Sequence, residues 1–321
     1  MPIQTPHFPD LLFSQSALLR HWEDRLIGHL RQGGYEELHP SLILREPLED
    51  AFIQFFDGAE RVALRSDFTV SLARLLSQRF AEPPPRVSYA GAVFRRPTQP
   101  WEPVERFEVG CERLHAEEDA DADLELARLL FAVPKVVGLK GGILQVGHAA
   151  LVRKPLSMEG LHASTTAAII RALSRRSPHR VTEALDGHPA ASRLVPHLHL
   201  LLSELDGASS LQSLSASPYA ASLEGEFAEL GRAMAALQPH VPEGFDLRMD
   251  PADVAGLSFY TGPTLRLWAP GAQAELAAGG RYDGLYPQLG KPWRAAGFCV
   301  RLSRLLDLAQ TRPDLFSELP C

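Results

Sequence analysis

The sequence predicts an α+β fold, an antiparallel sheet flanked by helices and interrupted by a helical insertion. Three observations lead there. Leu18, Trp22, Leu26 and Leu30 recur every fourth residue, and LELARLLFAV after residue 123 repeats that helical spacing. Short apolar runs bounded by Gly, Pro and Asp-Gly fall within 35–64, 87–112 and 245–301, which is strand and turn chemistry. Between Ser157 and Pro239 aromatics nearly vanish and Leu, Ala and Ser take over, with a polar low-complexity piece, SSLQSLSASPYAAS. The expected division is therefore a first core part (1–156), a helical insertion (157–240), a second core part (241–312) and a tail (313–321).

In chain order, Met1 to Phe13 is a Pro-containing lead-in. The first helix takes Ser14 or Ser16 as N-cap and ends at Gly33-Gly34. Tyr35 to Leu44 is extended and broken by Pro40, so it is expected at an edge or interface. Phe52 to Leu64 is a hairpin turning at Asp57-Gly58. LRSDFTV leads into a helix whose inner face is Val70, Ala73, Leu76 and Phe80. Val87 to Glu112, with Pro97, Pro100 and Pro103 between two apolar runs, is strand, long loop, strand, and this hairpin is expected to bring Arg95 close to Glu112. From Phe245 an antiparallel meander follows (FDLRMD, LSFYTGPTLRLWAP, AELAAGGRYDGLYPQLG, AAGFCVRLSRLLDLA) and closes with a helix. Gly279-Gly280 permits a sharp turn or a close backbone approach.

Composition narrows the function classes. With 45% apolar and 22% charged residues the chain is globular, and a net charge of −7 argues against a nucleic-acid partner, whose phosphates call for clustered Lys and Arg. Three scattered cysteines, Cys111, Cys299 and Cys321, suit a reducing cytosol and offer no metal spacing. No secretory leader or membrane-length apolar run is visible, so a soluble, cytoplasmic protein is expected. The acidic run Glu117 to Glu125 lacks the glycine of a calcium loop and reads as the negative start of a helix. His148 reads as packed or surface-exposed. His179, His188, His197, His199 and His240 read as solvated, since His197 and His199 do not share a helix face. Neither a metal nor a cofactor is expected.

Three sets of residues suggest a small-molecule site. Arg95 offers a fork of five donors and Glu112 a carboxylate, together suited to a zwitterion, although a surface ion pair has the same composition. Asp67 and Thr69 stand where a strand enters a helix, and either caps that helix or meets an ammonium group; the two roles can coincide. Tyr260 and Tyr282 each present a flat ring with a hydroxyl, useful against an imidazole-sized ligand or simply as sheet packing.

LRSDFTV, YAGAVFRR with FEVGCE, GLSFYTG, GGRYDGL and GFCVRLSRLL resemble, in order and approximate spacing over residues 10–310, the catalytic domain of the class II histidyl-tRNA synthetases. The chain is most similar to that family's non-catalytic members, the regulatory subunits of short-form ATP phosphoribosyltransferases. The resemblance implies a class II synthetase-like fold with Asp67 and Thr69 toward a histidine ammonium, Arg95 toward its carboxylate, and Glu112, Tyr260 and Tyr282 toward the imidazole. Val109 stands where the synthetases carry a glutamine near the amino acid. Adenylation looks lost: Arg96, Pro97 and Thr98 replace Glu-Arg-Pro, Ala255 replaces the arginine before the Gly-Leu motif, and Arg301 replaces a glycine, although Arg304 matches. The chain ends soon after the last motif, so no anticodon-binding domain is expected.

By resemblance, then, the protein is expected to be no enzyme. It would activate a short-form catalytic subunit, relay inhibition by histidine, and assemble as a homodimer, through the strand around Pro40, within a hetero-octamer. The alternatives are a truncated synthetase-like enzyme that activates histidine with ATP and a scaffold without ligand.

Overall fold

The computed structural model describes residues 10–45, 53–97, 102–117, 121–203, 213–254, 256, 259–317 and 319. Helix α1 (Ser14–Gln32) buries Leu18, Trp22, Leu26, Ile27 and Leu30, the face its periodicity predicts. Its start differs: Phe13 occupies the cap position and neither serine caps the helix. Gly33 ends it, followed by Gly34 in the left-handed region (φ 83). The extended stretch after it splits between two sheets, β1 (Glu36–Glu37) and β2 (Ile43–Leu44), with Pro40 between them. β3 (Gln54–Asp57) and β4 (Glu60–Leu64) form the expected hairpin, turning at Gly58.

Helix α2 (Phe68–Arg79) buries Phe68, Leu72 and Leu76, spaced by four. The expected inner face holds at Ala73 and Leu76 but not at Val70, which is half-buried, or at Phe80, which is 43% exposed. β5 (Arg86–Phe94) pairs along its full length with β6 (Glu105–His115), from Arg86 opposite Arg113 to Phe94 opposite Glu105. α3 (Ala122–Val137) begins within the acidic run, whose residues 118–120 lie outside the described residues. After β7 (Gly142–His148) come α4 (Ala150–Met158), α5 (Ala163–Ser174), α6 (Pro178–Ala184), α7 (Ala191–Ser203) and α8 (Glu224–Leu237). The chain returns through β8 (Phe245–Asp250), β9 (Pro263–Trp268), β10 (Ala277–Arg281), the short α9 (Leu285–Gln288), β11 (Arg294–Arg301) and α10 (Leu302–Thr311).

Eight strands make one sheet in the order β1-β5-β6-β11-β10-β9-β7-β8, and β2-β4-β3 make a second. The large sheet is antiparallel inside and parallel at both edges, where β1 joins β5 and β8 joins β7. FDLRMD therefore lies outside the antiparallel meander. A parallel neighbour requires a long crossover, and the helices described between β7 and β8 supply it. On one face α1 and α3 pack over Val109 and Cys111. The opposite face holds a smaller cluster of Phe68, Leu72, Tyr89, Tyr282, Tyr286 and Trp293, and it is this face that carries the candidate site.

His197 is fully buried on α7 rather than solvated: its Nε2 donates to the Leu151 carbonyl (2.8 Å) and its Nδ1 accepts from Ser217 Oγ (2.8 Å). Burial lowers its pKa from 6.5 to about 4, against the opposing backbone hydrogen bond. The unfolded chain thus binds this proton first as pH falls, so stability present above pH 6.5 is lost between 6.5 and 4, by on the order of 3 kcal/mol. Urea titrations at pH 7 and pH 5 should show the parent losing stability on acidification relative to a His197→Gln variant.

Candidate functional site

The site is built on the floor formed by β6, β11 and β10. Strand alternation puts Glu108, Gly110 and Glu112 on the face toward α2, and Val109 and Cys111 on the face toward α1. Glu112 is 1% exposed. Thr69 Oγ1, in the first turn of α2, donates to Glu112 Oε1 at 2.7 Å, and the Tyr282 hydroxyl, just beyond β10, donates to Oε2. Tyr89 adds a third hydroxyl on the same carboxyl. Burial pushes the Glu112 pKa up to about 8; the Thr69 and Tyr89 hydrogen bonds oppose this, and the nearby charge of Asp67 reinforces it. Opposite Glu112 on β11 is Gly297, where a Cβ would collide with the carboxyl.

Asp67 caps α2 by accepting from the Val70 amide (2.7 Å) and also accepts from Ser66 Oγ (3.1 Å). The capping alternative for this stretch is thus the one observed, and Thr69 beside it donates to Glu112. Phe259 stacks on Tyr282 at 4.6 Å and meets Tyr260 edge-on at 5.5 Å, so the two tyrosines bracket it. Tyr260 packs against the buried Arg266 guanidinium (5.4 Å), which is itself paired with Asp253 (3.1 Å).

Two sequence expectations need correction. Arg95 is not beside Glu112. The hairpin pairs Phe94 with Glu105 and Val87 with Glu112, so Arg95 stands at the loop end and Glu112 near the opposite end of the ladder. Its guanidinium reaches back instead to the Ser66 carbonyl (2.5 Å) and toward Glu108 (3.6 Å), which places it near Asp67 through the intervening Ser66. Val109 faces the helix-packed core, 0% exposed, and has no access to the pocket. The residue on the pocket face is Glu108, buried and with one carboxylate oxygen lacking a hydrogen bond. Sequence reasoning missed Glu108 and Tyr89; counting in twos back from Glu112 and across to β5 would have found both.

Beside these residues lies a small cleft of about 20 Å³, lined by Glu102, Arg106, Glu108, Arg301, Arg304 and Asp307 among others. Its arginines are already engaged. Arg301 pairs with Glu275 (2.9 Å), Arg304 donates to the Glu275 carbonyl (2.8 Å) and lies 3.7 Å from Glu102, and Arg106 pairs with Glu102 (3.2 Å). A phosphate entering here would have to displace carboxylates first. Thr98 and Ala255 lie outside the described residues. Among the described residues no group of His, Cys, Asp and Glu is arranged to hold a metal ion, and no helix is long and apolar enough to cross a membrane.

The family model for histidyl-tRNA synthetase matches residues 7–305. The ATP phosphoribosyltransferase regulatory subunit of Moorella thermoacetica is 31% identical over 320 residues, spanning 95% of this chain and 82% of that one. The protein of the same description from Anaeromyxobacter dehalogenans is 36% identical over 314 residues, spanning 91% and 87%. In a solved ATP phosphoribosyltransferase (HisG:HisZ) complex from Thermotoga maritima, a chain shares the fold with a TM-score of 0.69 at 16% identity, covering 89% of this chain and 97% of that one.

Proposed function

Because the chain belongs to the histidyl-tRNA synthetase family, and within it to the regulatory subunits of ATP phosphoribosyltransferase, we propose that it activates a short-form catalytic subunit and passes histidine inhibition to it through the Glu112 pocket. It regulates histidine biosynthesis and is not itself a catalyst. The observation that carries the proposal is the contrast between two neighbouring sets of side chains. One keeps a buried carboxyl with Thr69 and Tyr282 on it, and the other has its arginines matched to carboxylates.

In this reading an imidazole N–H donates to Glu112, and the aromatic walls are Phe259, Tyr260 and Tyr282. The histidine ammonium meets Asp67 and Thr69, and its carboxylate meets Arg95. A donor opposite a buried carboxylate is rewarded strongly because leaving either partner unpaired is penalised. Ligand binding becomes regulation only if histidine prefers one state of the assembly, with a coupling of ~1–3 kcal/mol.

The partner is the short-form catalytic subunit, and the named HisG:HisZ complex of similar fold supports that pairing. Self-association as a homodimer within a hetero-octamer is part of the same proposal. Leu42, Ile43, Phe55 and Phe56, on and beside the small sheet next to Pro40, leave apolar surface suited to it. So are a cytoplasmic setting and the treatment of 157–240 as an insertion between two core parts.

Reconstitution with a short catalytic subunit tests the proposal. Transferase activity should rise on mixing and fall again with added histidine. No rise would remove the regulatory role, and histidine-dependent exchange of pyrophosphate into ATP would favour the synthetase-like alternative.

A further inference from the structure

The reading of the Glu112 pocket as the effector site raises the question of what the rest of the fold can sense. Neighbouring residues at the end of β10 face opposite ways. Tyr282 points to Glu112, whereas Arg281 points between the helices on the other side. Its guanidinium contacts Asp123 of α3 at 3.1 Å and Glu229 of α8 at 2.7 Å, and its Nε lies 3.8 Å from Asp283. Gly262 leaves the room: a Cβ there would overlap the guanidinium.

Glu229 does double duty. Its second oxygen is 2.9 Å from Nε2 of buried His148, whose Nδ1 accepts from the Ala150 amide (3.3 Å), so the Nε2 side carries the proton and donates. Burial disfavours charge on Glu229, but the His148 hydrogen bond and Arg281 outweigh it and hold the carboxyl down to about 2. Helix α8 is thereby moored by one carboxylate to the ends of both β7 and β10. Beneath the mooring lies a small apolar cleft of about 20 Å³, lined by Leu124, Ala127, Val146, Ala233, Leu237 and Gly280 among others. Gly280 also abuts the Tyr260 ring, where a Cβ would come within 2.8 Å. One pocket tyrosine, Tyr282, thus adjoins Arg281 directly and the other, Tyr260, packs on its other neighbour, Gly280, while the helix that holds Arg281 borders a small apolar cleft through Ala233 and Leu237.

We propose that Arg281 is a positioning residue that couples occupancy of the histidine pocket to the seating of α8, with Glu229 as the mooring point. A ligand that draws on Glu112 competes with the Tyr282 hydroxyl, and a shift of Tyr282 pulls on its neighbour Arg281. By reciprocity, unseating α8 lowers affinity for the ligand.

The test compares two substitutions on the same helix in the full-length chain. Glu229→Gln removes the mooring charge, whereas Glu226→Gln removes the pair that α8 makes with Lys154 of α4. Calorimetry with histidine should show about tenfold weaker binding for Glu229→Gln and parental affinity for Glu226→Gln. Hydrogen exchange without histidine should be faster at 281–283 in Glu229→Gln alone, although both variants loosen 224–237. Equal behaviour of the two variants, or faster exchange confined to α8, overturns the proposal. A parent chain that gives no heat with histidine removes the effector reading instead, and the exchange at 281–283 still decides the mooring.

Discussion

Glu112→Gln will leave the histidine-free chain more stable than its parent above pH 8 and will also remove its response to histidine. The carboxyl is fully enclosed, and burial raises its pKa from 4.5 to about 8. The sign follows from proton counting. Between these two values the folded chain holds a proton that the unfolded chain has released, so the contribution present below pH 4.5 is lost as pH rises through 8. At full ionisation the loss is on the order of 5 kcal/mol. Glutamine has no proton to lose, and its amide can still pair with Thr69 and Tyr282, whose hydroxyls rotate to suit. Urea midpoints for the variant should stay level from pH 6 to 9 while the parent declines. Histidine affinity should drop about tenfold, the upper end of what one hydrogen bond to a neutral group contributes. This slope runs opposite to that of His197, and the two windows overlap between pH 4.5 and 6.5, so the parent should be level there and decline above it. A variant that binds histidine as its parent does would falsify the assignment of the imidazole to Glu112.

Local chemistry was legible where a residue acts through its own neighbours. The face of α1, the Asp57-Gly58 turn and the cap at Asp67 all follow from spacing within a few residues. Legibility failed where an answer depends on register or on a distant partner. Arg95 and Glu112 lie in one hairpin, yet the pairing of Phe94 with Glu105 sends them to opposite ends. Val109 and Glu108 are adjacent in sequence and face opposite sides of the sheet, so shifting the assignment by one residue changes which side chain touches a ligand. His197 gave no local sign of burial because its partners, Leu151 and Ser217, come from segments 46 and 20 residues away. The parallel edge at β8 was hidden by the length of the helical crossover that creates it. The matched arginines of the neighbouring cleft refine the reading of a lost nucleotide site: positive charge is present there, and two carboxylates from distant segments, Glu102 and Glu275, engage it.

Gly297→Ala should be the most damaging single-methyl change in the pocket. The glycine faces Glu112 across the β6–β11 ladder, and an added Cβ would overlap the carboxyl and approach the Cys111 carbonyl to 2.5 Å. Neither obstacle yields easily. β6 and β11 are interior strands, each hydrogen-bonded on both edges, so the carbonyl moves only with the sheet. The carboxyl is held by Thr69 and Tyr282 and has no exposed volume to enter. Overpacking a filled site costs about 1–3 kcal/mol, and this position should reach the upper end because backbone and side chain are both in the way. Histidine inhibition of the reconstituted complex should vanish in the same variant. Adding Glu112→Ala removes one obstacle and leaves the other, so the double variant should regain part of the lost stability and none of the histidine response. If Gly297→Ala alone kept both stability and inhibition, the carboxyl would have to lie elsewhere and the pocket as built here would be wrong.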